Sequence, residues 1–277
     1  MTNYCDQLNM AVLFCCYNRK TLSIRCVRSL IEAASMASEV NITIHVWDDG
    51  SNDNTAEALE EISDRIRVYR GPGNYYWSKS MNAVMMEAKK TNPDLYLMVN
   101  DDVSFYMDFI CILLNDYKRA GGKCGIVGST EFEGEFTYGG HDKEFNDVPP
   151  EGSLISCRYA NWNCFLIDRY VVEIVGLISE HYSHSFGDFD YSSRMIRNGI
   201  PLYVASQYVG KCENDHSSPE YFNPDIRLKD RFYYLISPKG EPIGSFFRFH
   251  WVDKRIKGII IALYQYIRLV LRVINAR

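Results

Sequence analysis

The chain has 277 residues, of which 47% are hydrophobic and 14% aromatic, so it can form one large domain or two small ones around a sizeable core. Its net charge of -5 argues against a general nucleic-acid binder. The nine cysteines form no C-x-x-C pair, which is typical of a reduced, cytosolic protein. We expect no signal peptide and no apolar stretch of about 20 residues that spans a membrane.

Predicted strands alternate with predicted helices in the first part of the chain. Apolar and alternating runs predict strands at residues 10–16, 41–47, 67–70 and 95–99. Helical spacing of apolar residues predicts helices at residues 21–37, 55–66 and 78–90. This order predicts an α/β fold with a mainly parallel sheet, in which ligands bind beyond the C-terminal ends of the strands.

The second half of the chain is less regular. It contains predicted strands at residues 125–129 and 160–167 and predicted helices at residues 168–175 and 191–198. Residues 131–152 are polar and rich in glycine, which predicts a long loop of the kind that is usually functional or mobile. An apolar run at residues 201–209 is followed by another polar loop.

Acidic side chains stand at the exits of two predicted strands. Asn100, Asp101 and Asp102 follow the strand predicted at 95–99. Asp48 and Asp49 begin the turn that follows the strand predicted at 41–47. Adjacent carboxylates repel one another and are costly to bury unless a cation or hydrogen-bond donors hold them. Hard oxygen ligands of this kind suit Mg²⁺ or Mn²⁺, and such an ion can bridge two phosphates. A solvated turn is the alternative interpretation.

A second acidic cluster contains Asp188, Asp190 and Arg194. Asp188 is either the N-cap of the following helix or a general base in a cleft, where burial and neighbouring charge raise its pKa. Arg194 lies four residues after Asp190, at the spacing of a helical ion pair. His216, in a polar loop, is either a surface histidine or a third metal ligand beside Asp102.

Aromatic and amide side chains fall near other predicted loops. Trp77 follows the loop at residues 71–74, and Trp162 and Asn163 lie in the run Asn161-Trp162-Asn163. Either group could pack in the core or at the surface. Aromatic faces combined with amides are also a common way to hold a sugar.

The last segment differs from the rest of the chain in charge. From Lys254 to the C-terminus there are six basic and no acidic residues. A helix at residues 256–274 would place Lys257, Gln265, Arg268 and Arg272 on one face and isoleucine, leucine, valine and tyrosine elsewhere. This basic amphipathic helix, too interrupted to span a bilayer, could lie on anionic lipid, while a core helix or a dimer helix is the alternative.

Five short segments jointly resemble glycosyltransferase family 2, the inverting enzymes with the GT-A fold. The resemblance covers roughly residues 9 to 220, and the order and spacing of the segments make it specific. Within the family, the chain looks most like bacterial surface-polysaccharide transferases, including rhamnosyltransferase-like members. The segments are Phe14 to Arg19, Asp48 to Thr55, Met81-Asn82, Asn100 to Val103, and Gly187 to Asp190 with Arg194.

The resemblance implies a Rossmann-like, mixed, mainly parallel sheet flanked by helices, with a C-terminal amphipathic helical extension. A catalytic domain would cover residues 1–245, divided near residue 130 into a nucleotide-sugar half and an acceptor half, and the helix would cover 246–277. The implied partners are a nucleotide-diphosphate sugar donor and a glycan or lipid-linked glycan acceptor. The basic C-terminal helix adds an anionic membrane surface as an expected partner, with a second copy of the chain in a homodimer as the alternative. The implied location is peripheral, on the cytoplasmic face of the cell membrane.

The resemblance also implies a role for each matching side chain. Two departures from the family pattern are Asn100, at the first position of the D-x-D motif, and Gly187, where many members carry an acid. The implied sites are nucleotide-sugar contacts at Tyr17, Arg19, Asp48, Asp49, Asn82, Asn100 and Asp101, Mg²⁺ or Mn²⁺ ligands at Asp102 and His216, a catalytic base at Asp188, and supporting or acceptor contacts at Trp77, Trp162, Asn163, Asp190 and Arg194.

These roles predict a single displacement with inversion at the anomeric carbon, in which Asp188 takes the proton of the acceptor hydroxyl. Two rival functions remain open. A sugar nucleotidyltransferase also uses such a sheet with Mg²⁺, although the segment after the first strand is not glycine-rich. A catalytically inactive scaffold at the membrane is the other rival, supported only by Asn100 and Gly187.

Overall fold

A computed structural model describes residues 7–213 and 218–276. A ten-stranded mixed sheet forms the centre of the fold, and a small three-stranded sheet lies beside it. The strands are β1 (Leu8–Cys16), β2 (Val40–Asp48), β3 (Ile66–Arg70), β4 (Leu95–Val99), β5 (Ser104–Phe105), β6 (Gly125–Phe132), β7 (Glu135–Tyr138), β8 (Gly140–His141), β9 (Asp147–Val148), β10 (Ile155–Ser156), β11 (Tyr159–Ala160), β12 (Cys164–Asp168) and β13 (Leu202–Lys211).

The predicted parallel sheet is confirmed in the first half of the chain. The main order is β10-β13-β6-β12-β4-β1-β2-β3, and β4, β1, β2 and β3 are all parallel. The antiparallel strand β12 separates this half from the parallel pair β6 and β13. The carboxyl ends of β1, β2 and β4 therefore share one edge, and β4 is buried along its whole length.

Helices cover both faces of the sheet. They are α1 (Lys20–Met36), α2 (Thr55–Glu60), α3 (Tyr76–Lys89), α4 (Phe109–Arg119), α5 (Arg169–Val175), α6 (Gly187–Arg197), α7 (Leu228–Ile236) and α8 (Ile243–Asn275). One apolar cluster packs α1 and α4 on one face, and a second packs α3, α5 and α6 on the other. Because β4 and β12 are buried on both faces, they read as apolar runs rather than as alternating ones.

Several predicted boundaries are wrong. The helix predicted at residues 55–66 ends at Glu60, and the strand predicted at 160–167 is interrupted between β11 and β12. The predicted loop at 131–152 contains β7, β8 and β9. The helix predicted to begin at residue 191 begins at Gly187, so Asp188 lies in its first turn and is not its N-cap.

The C-terminal helix α8 folds back on itself. Arg255 has non-helical torsion angles (φ 55, ψ -132) and divides α8 into a first segment, residues 243–254, and a second segment, residues 256–275. The two segments pack antiparallel, with the rings of Phe246 and Tyr266 5.3 Å apart. A Cβ on Gly258 would lie 1.8 Å from the carbonyl oxygen of His250, so only glycine fits where the segments meet.

By length and composition, α8 is apolar enough to cross a membrane. This test does not overturn the expectation that no apolar stretch spans a membrane, which stays a prediction. Length and composition alone are weak evidence, because the core helix of a soluble protein passes the same test. Only 22% of the most apolar window of α8 is buried, which is unlike a core helix.

Candidate active site

A cavity of about 280 Å³ opens beyond the carboxyl end of β4. Two carboxylates line it, Asp102 from the loop after β4 and Asp188 from the first turn of α6. The structure thus brings together two acidic clusters that lie far apart in the sequence. The amides of Asn100 and Asn163 and the rings of Trp77 and Trp162 also line this cavity, as their predicted roles require.

Asp188 has the properties of a general base. Burial raises the pKa of its carboxyl group to about 7, while the backbone N–H groups of Phe189 and Trp162 oppose the shift. The Phe189 N–H donates to Asp188 Oδ1 at 2.9 Å. A carboxylate with a pKa near 7 is partly ionised at neutral pH and can both take and release a proton.

Asp190 and Arg194 form the ion pair that their spacing predicts. Arg194 Nε donates to Asp190 Oδ2 at 2.8 Å, and Tyr182 donates to Asp190 Oδ1 at 3.0 Å. The guanidinium also donates to the carbonyls of Val175 and Leu177. This network joins α6 to the segment after α5 and fixes the helix that carries Asp188, without lining the cavity itself.

Arg19 connects the end of β1 to the end of β4. Its guanidinium donates to Asp101 Oδ1 at 2.8 Å and to Asp102 Oδ2 at 3.0 Å. Asp101 is buried and also accepts from Ser23 Oγ. Burial raises the pKa of Asp101 to about 7, although the neighbouring Arg19 guanidinium opposes the shift.

At this edge of the sheet, the protein offers a divalent cation one partly exposed carboxylate, that of Asp102. Within residues 7–213 and 218–276, no group of three histidine, cysteine or acidic side chains forms a complete metal-binding site. Asp102, 29% exposed, presents its carboxylate at the cavity. Mg²⁺ is commonly held by one or two carboxylates together with substrate phosphates, and Asp102 suits that arrangement. The other predicted ligand, His216, lies outside the described residues.

Both polar atoms of the Asn100 side chain form hydrogen bonds with neighbouring side chains. Its Oδ1 accepts from Trp77 Nε1 at 2.9 Å, and its Nδ2 donates to Asn163 Oδ1 at 3.1 Å. Cys212 lies 3.7 Å from both Asn163 Nδ2 and Asp102 Oδ1. An amide can donate and accept here at once, which explains asparagine in place of the aspartate of the family pattern.

The carboxylates after β2 organise a loop. Asp49 is buried and accepts from the backbone N–H groups of Gly73, Tyr75 and Tyr76, at 3.1, 2.8 and 3.1 Å. Asp48 accepts from the N–H of Ser51 at 2.9 Å. Neither carboxylate lines the cavity, and their contact with a nucleotide base remains a prediction.

Tyr17 and Asn82 also lie outside the cavity. Tyr17 directly follows β1 and is half exposed. Asn82 on α3 donates from Nδ2 to the carbonyl of Ile178, so it supports the segment before α6. Their proposed contacts with the donor remain predictions.

Six further residues line the cavity and were not predicted as site residues. His184, Ser185, Phe186 and Phe189 surround the start of α6, and their position depends on Phe186 at a left-handed φ of 72°. The two others are Tyr138 and Asn161. Asn161 stands beside the predicted Trp162, and Phe189 lies within the segment Gly187 to Asp190, so both had a sequence signal. The rest depend on loop geometry that periodicity does not encode.

The first segment of α8 supports the wall of the cavity. The ring of Phe249 stacks on Phe186 at 5.5 Å between centroids. Asp253 is buried and accepts from Tyr159 OH at 2.8 Å and from Ser193 Oγ of α6 at 3.0 Å. Arg158 donates to the same carboxylate. The boundary proposed between a catalytic domain and a helix at residue 246 therefore separates residues that pack tightly together.

The comparisons agree with this architecture. The model of the family named glycosyl transferase family 2 matches residues 11–179, more than half of the chain. No curated protein matches the chain. Three similar solved structures are between 12% and 15% identical to the chain. Similarity at such low sequence identity is evidence for the fold alone.

The mannosyltransferase PcManGT from Pyrobaculum calidifontis, in complex with GDP-Man and Mn²⁺, has a TM-score of 0.59 at 12% identity, and the match covers 95% of this chain and 76% of that one. TarS residues 1–349 from S. aureus, in complex with UDP-GlcNAc, has a TM-score of 0.58 at 13% identity, with coverage of 96% and 89%. GalNAc-T7 with UDP, GalNAc and Mn²⁺ has a TM-score of 0.56 at 15% identity, with coverage of 94% and 58%.

Proposed function

Because this chain belongs to glycosyl transferase family 2, we propose that it transfers a sugar from a nucleotide-diphosphate donor to a hydroxyl group of a glycan, with inversion at the anomeric carbon. The observation that carries the proposal is the presence of Asp102 and Asp188 in one cavity. One carboxylate suits a metal-bound diphosphate, and the other suits a base. The two walls between them are aromatic and amide, a combination that fits a sugar ring.

The residues would divide the work as follows. Asp188, ionised, accepts the proton of the acceptor hydroxyl, whose oxygen forms the new bond as the bond to the diphosphate breaks on the opposite face. Asp102 would hold Mg²⁺ or Mn²⁺, which would supply neutralisation of the charge that grows on the leaving diphosphate. Trp77, Trp162 and the amides of Asn161 and Asn163 would orient the sugar, so that positioning contributes much of the rate.

A screen of nucleotide sugars tests this function. Slow hydrolysis of at least one donor, stimulated by Mn²⁺, is expected, with water in the place of the acceptor. Binding without hydrolysis, even with a range of acceptors present, would favour the inactive scaffold. Release of pyrophosphate from a nucleoside triphosphate and a sugar phosphate would instead favour the nucleotidyltransferase.

We also propose that the protein works at an anionic membrane surface. In the second segment of α8, apolar side chains at positions 256, 260, 263, 264, 267, 271 and 274 recur at helical spacing, and all are between 45% and 70% exposed. The exposed basic residues Lys257, Arg268 and Arg272 border this stripe. The opposite face, with Ala262, Tyr266 and Val273, is buried against the protein. An exposed apolar stripe beside a row of cations is typical of a helix lying in a membrane interface.

This orientation supports a peripheral location rather than a spanning one. One face of the second segment is packed on the protein, which leaves only the other face for lipid. Each basic residue near anionic lipid contributes about 1 kcal/mol, and the apolar stripe adds to it. An enzyme held there on the cytoplasmic side would meet a lipid-linked glycan, as in the synthesis of bacterial surface polysaccharide.

Substitution tests the membrane proposal better than truncation, because deleting residues 254–277 would also uncover the buried face. Replacing Ile260, Leu263, Ile267 and Leu271 with serine should abolish co-sedimentation with anionic vesicles and leave nucleotide binding intact. Replacing Met36, Met107 and Ile174, which are exposed on other elements, is the matched control and should change nothing. If the serine variant still co-sediments, the stripe does not bind membrane. If the parent is a dimer and the serine variant is a monomer, the stripe belongs to a dimer interface.

A further inference from the structure

The charge of the cavity limits the sugar it can hold. Among its described lining residues, the only charged side chains are the carboxylates Asp102 and Asp188, and no lysine or arginine is present. The remaining lining is aromatic, amide, hydroxyl or imidazole. With Asp102 engaged by the metal, a negatively charged group on the sugar would face the Asp188 carboxylate with no lysine or arginine among the described lining residues to offset it.

Three neighbouring guanidinium groups are already engaged by carboxylates. Arg19 is held by Asp101 and Asp102 at the edge of the sheet, and Arg158 is held by Asp253 behind the cavity wall. Arg194 is held by Asp190. Moving any of these guanidinium groups into the cavity would leave a buried carboxylate without its partner, which is strongly unfavourable.

His184 is the one basic side chain on the wall, and it is uncharged at neutral pH. Burial, with a smaller contribution from Lys239, lowers the pKa of its imidazole to about 4. Its Nδ1 is buried and has no hydrogen-bond partner among the described residues. The backbone of His184 is fixed by a hydrogen bond of 2.6 Å from Ser78 Oγ to its carbonyl. A neutral imidazole can exchange hydrogen bonds with a hydroxyl group, but it carries no positive charge to offset a carboxylate.

We propose that this cavity selects an uncharged glycosyl unit, a hexose, a deoxyhexose or an N-acetylhexosamine, and that it rejects uronates, with His184 as a specificity-determining residue. The inference rests on the proposed function and names the substrate class of that same site. Selection arises from repulsion by Asp188 and from the lack of a lysine or arginine among the described lining residues, while the aromatic walls accept the apolar face of any of these sugars. An amino sugar with a free ammonium group is disfavoured for another reason, since its pairing with Asp188 would remove the base.

Matched pairs of donors test the selection. UDP-glucose is compared with UDP-glucuronate, and GDP-mannose with GDP-mannuronate, by Mn²⁺-dependent hydrolysis and by competition binding. For any pair that binds, the neutral member should be favoured at least about 100-fold in kcat/KM, roughly the factor that one misplaced buried charge produces. Equal or better use of the uronate would overturn the proposal.

The outcomes distinguish this inference from the proposed function. Binding without turnover would contradict the glycosyltransferase proposal alone, and the ratio of the two affinities would still decide the selection. If no pair binds at all, both proposals fail. The pairs differ only at C6, so the nucleotide contributes equally to both members.

Variants of His184 test its part in the selection. His184→Arg should lower the preference for the neutral sugar by at least about tenfold, because a single ion pair gained in a buried site is worth that factor or more. His184→Gln keeps a neutral hydrogen-bonding group, so the preference should persist. An unchanged preference in a folded His184→Arg protein would show that the imidazole position does not determine specificity.

Discussion

The two surfaces with the clearest chemical signals differ in how their groups are satisfied. At the edge of the sheet, Arg19, Asp49, Asp101 and Asn100 all have partners within the protein, and Asp188 is partly buried in the same region. On the second segment of α8, the side chains of the apolar stripe face outward and are between 45% and 70% exposed. The first surface is organised before any ligand binds, as catalysis requires, whereas the second is incomplete until something covers it.

Removing the base should have the largest effect on the organised surface. Asp188→Asn keeps the shape of the side chain but cannot accept a proton, so turnover should fall at least about 100-fold. Donor binding, measured by calorimetry, should stay within a few-fold of the parent. If turnover stays close to that of the parent, another residue is the base.

Removing the metal carboxylate should affect binding more than folding. Asp102→Ala should weaken Mn²⁺-dependent binding of a nucleoside diphosphate by roughly 10- to 100-fold, on the scale seen when groups that hold a metal are changed. The melting temperature should change little, because Asp102 is partly exposed. Equal affinity with and without Mn²⁺ in both proteins would exclude Asp102 as the metal carboxylate.

A smaller effect is expected at the hydrogen bond between Asn100 and Trp77. Trp77→Phe removes the indole N–H and leaves its acceptor, Asn100 Oδ1, without that bond. The affinity for the nucleotide-sugar donor should therefore fall by about fivefold, which corresponds to one hydrogen bond of about 1 kcal/mol. Trp162→Phe is the matched control, since the Nε1 of Trp162 has no hydrogen-bond partner among the described residues. If the bond matters, Asn100→Ala and Trp77→Phe should not be additive in a double-mutant cycle.

The smallest effect is on stability and depends on pH. Burial raises the pKa of Asp188 in the folded protein to about 7, above the value of about 3.9 for an unfolded aspartate. The folded state therefore binds the extra proton between these values, and the stability of the parent falls as pH rises through that window. Asp188→Asn should have the higher melting temperature at pH 8 and should lose this advantage at pH 4. An advantage that is equal at both pH values would show that Asp188 is not buried as described.

The sequence predicts the organised surface well because strand order determines it. Once β1, β2 and β4 are parallel, the residues that follow them must share an edge, and Arg19 does reach Asp101. The start of α6 could not be predicted in the same way, since it depends on Phe186 at a left-handed φ and on aromatic packing with Phe249. The cavity residues His184, Ser185 and Phe186 were missed for that reason.

In the C-terminal region, the sequence pattern predicts the helix but not its break or its contacts. Helical spacing correctly predicts that the second segment of α8 is amphipathic. It does not reveal the break at Arg255, which no proline or glycine at that position marks, nor that the first segment reaches the wall of the active site through Phe249 and Asp253. Periodicity describes a single helix, whereas these features arise from contacts between distant elements.

The pH dependence of turnover tests the central claim most directly, that a buried Asp188 is the base for glycosyl transfer. With saturating donor and Mn²⁺, the rate should rise with pH as Asp188 loses its proton, reach half of its maximum near pH 7, and level off above that pH. A rate that stays constant between pH 5 and pH 8 would contradict the assignment of Asp188 as the base.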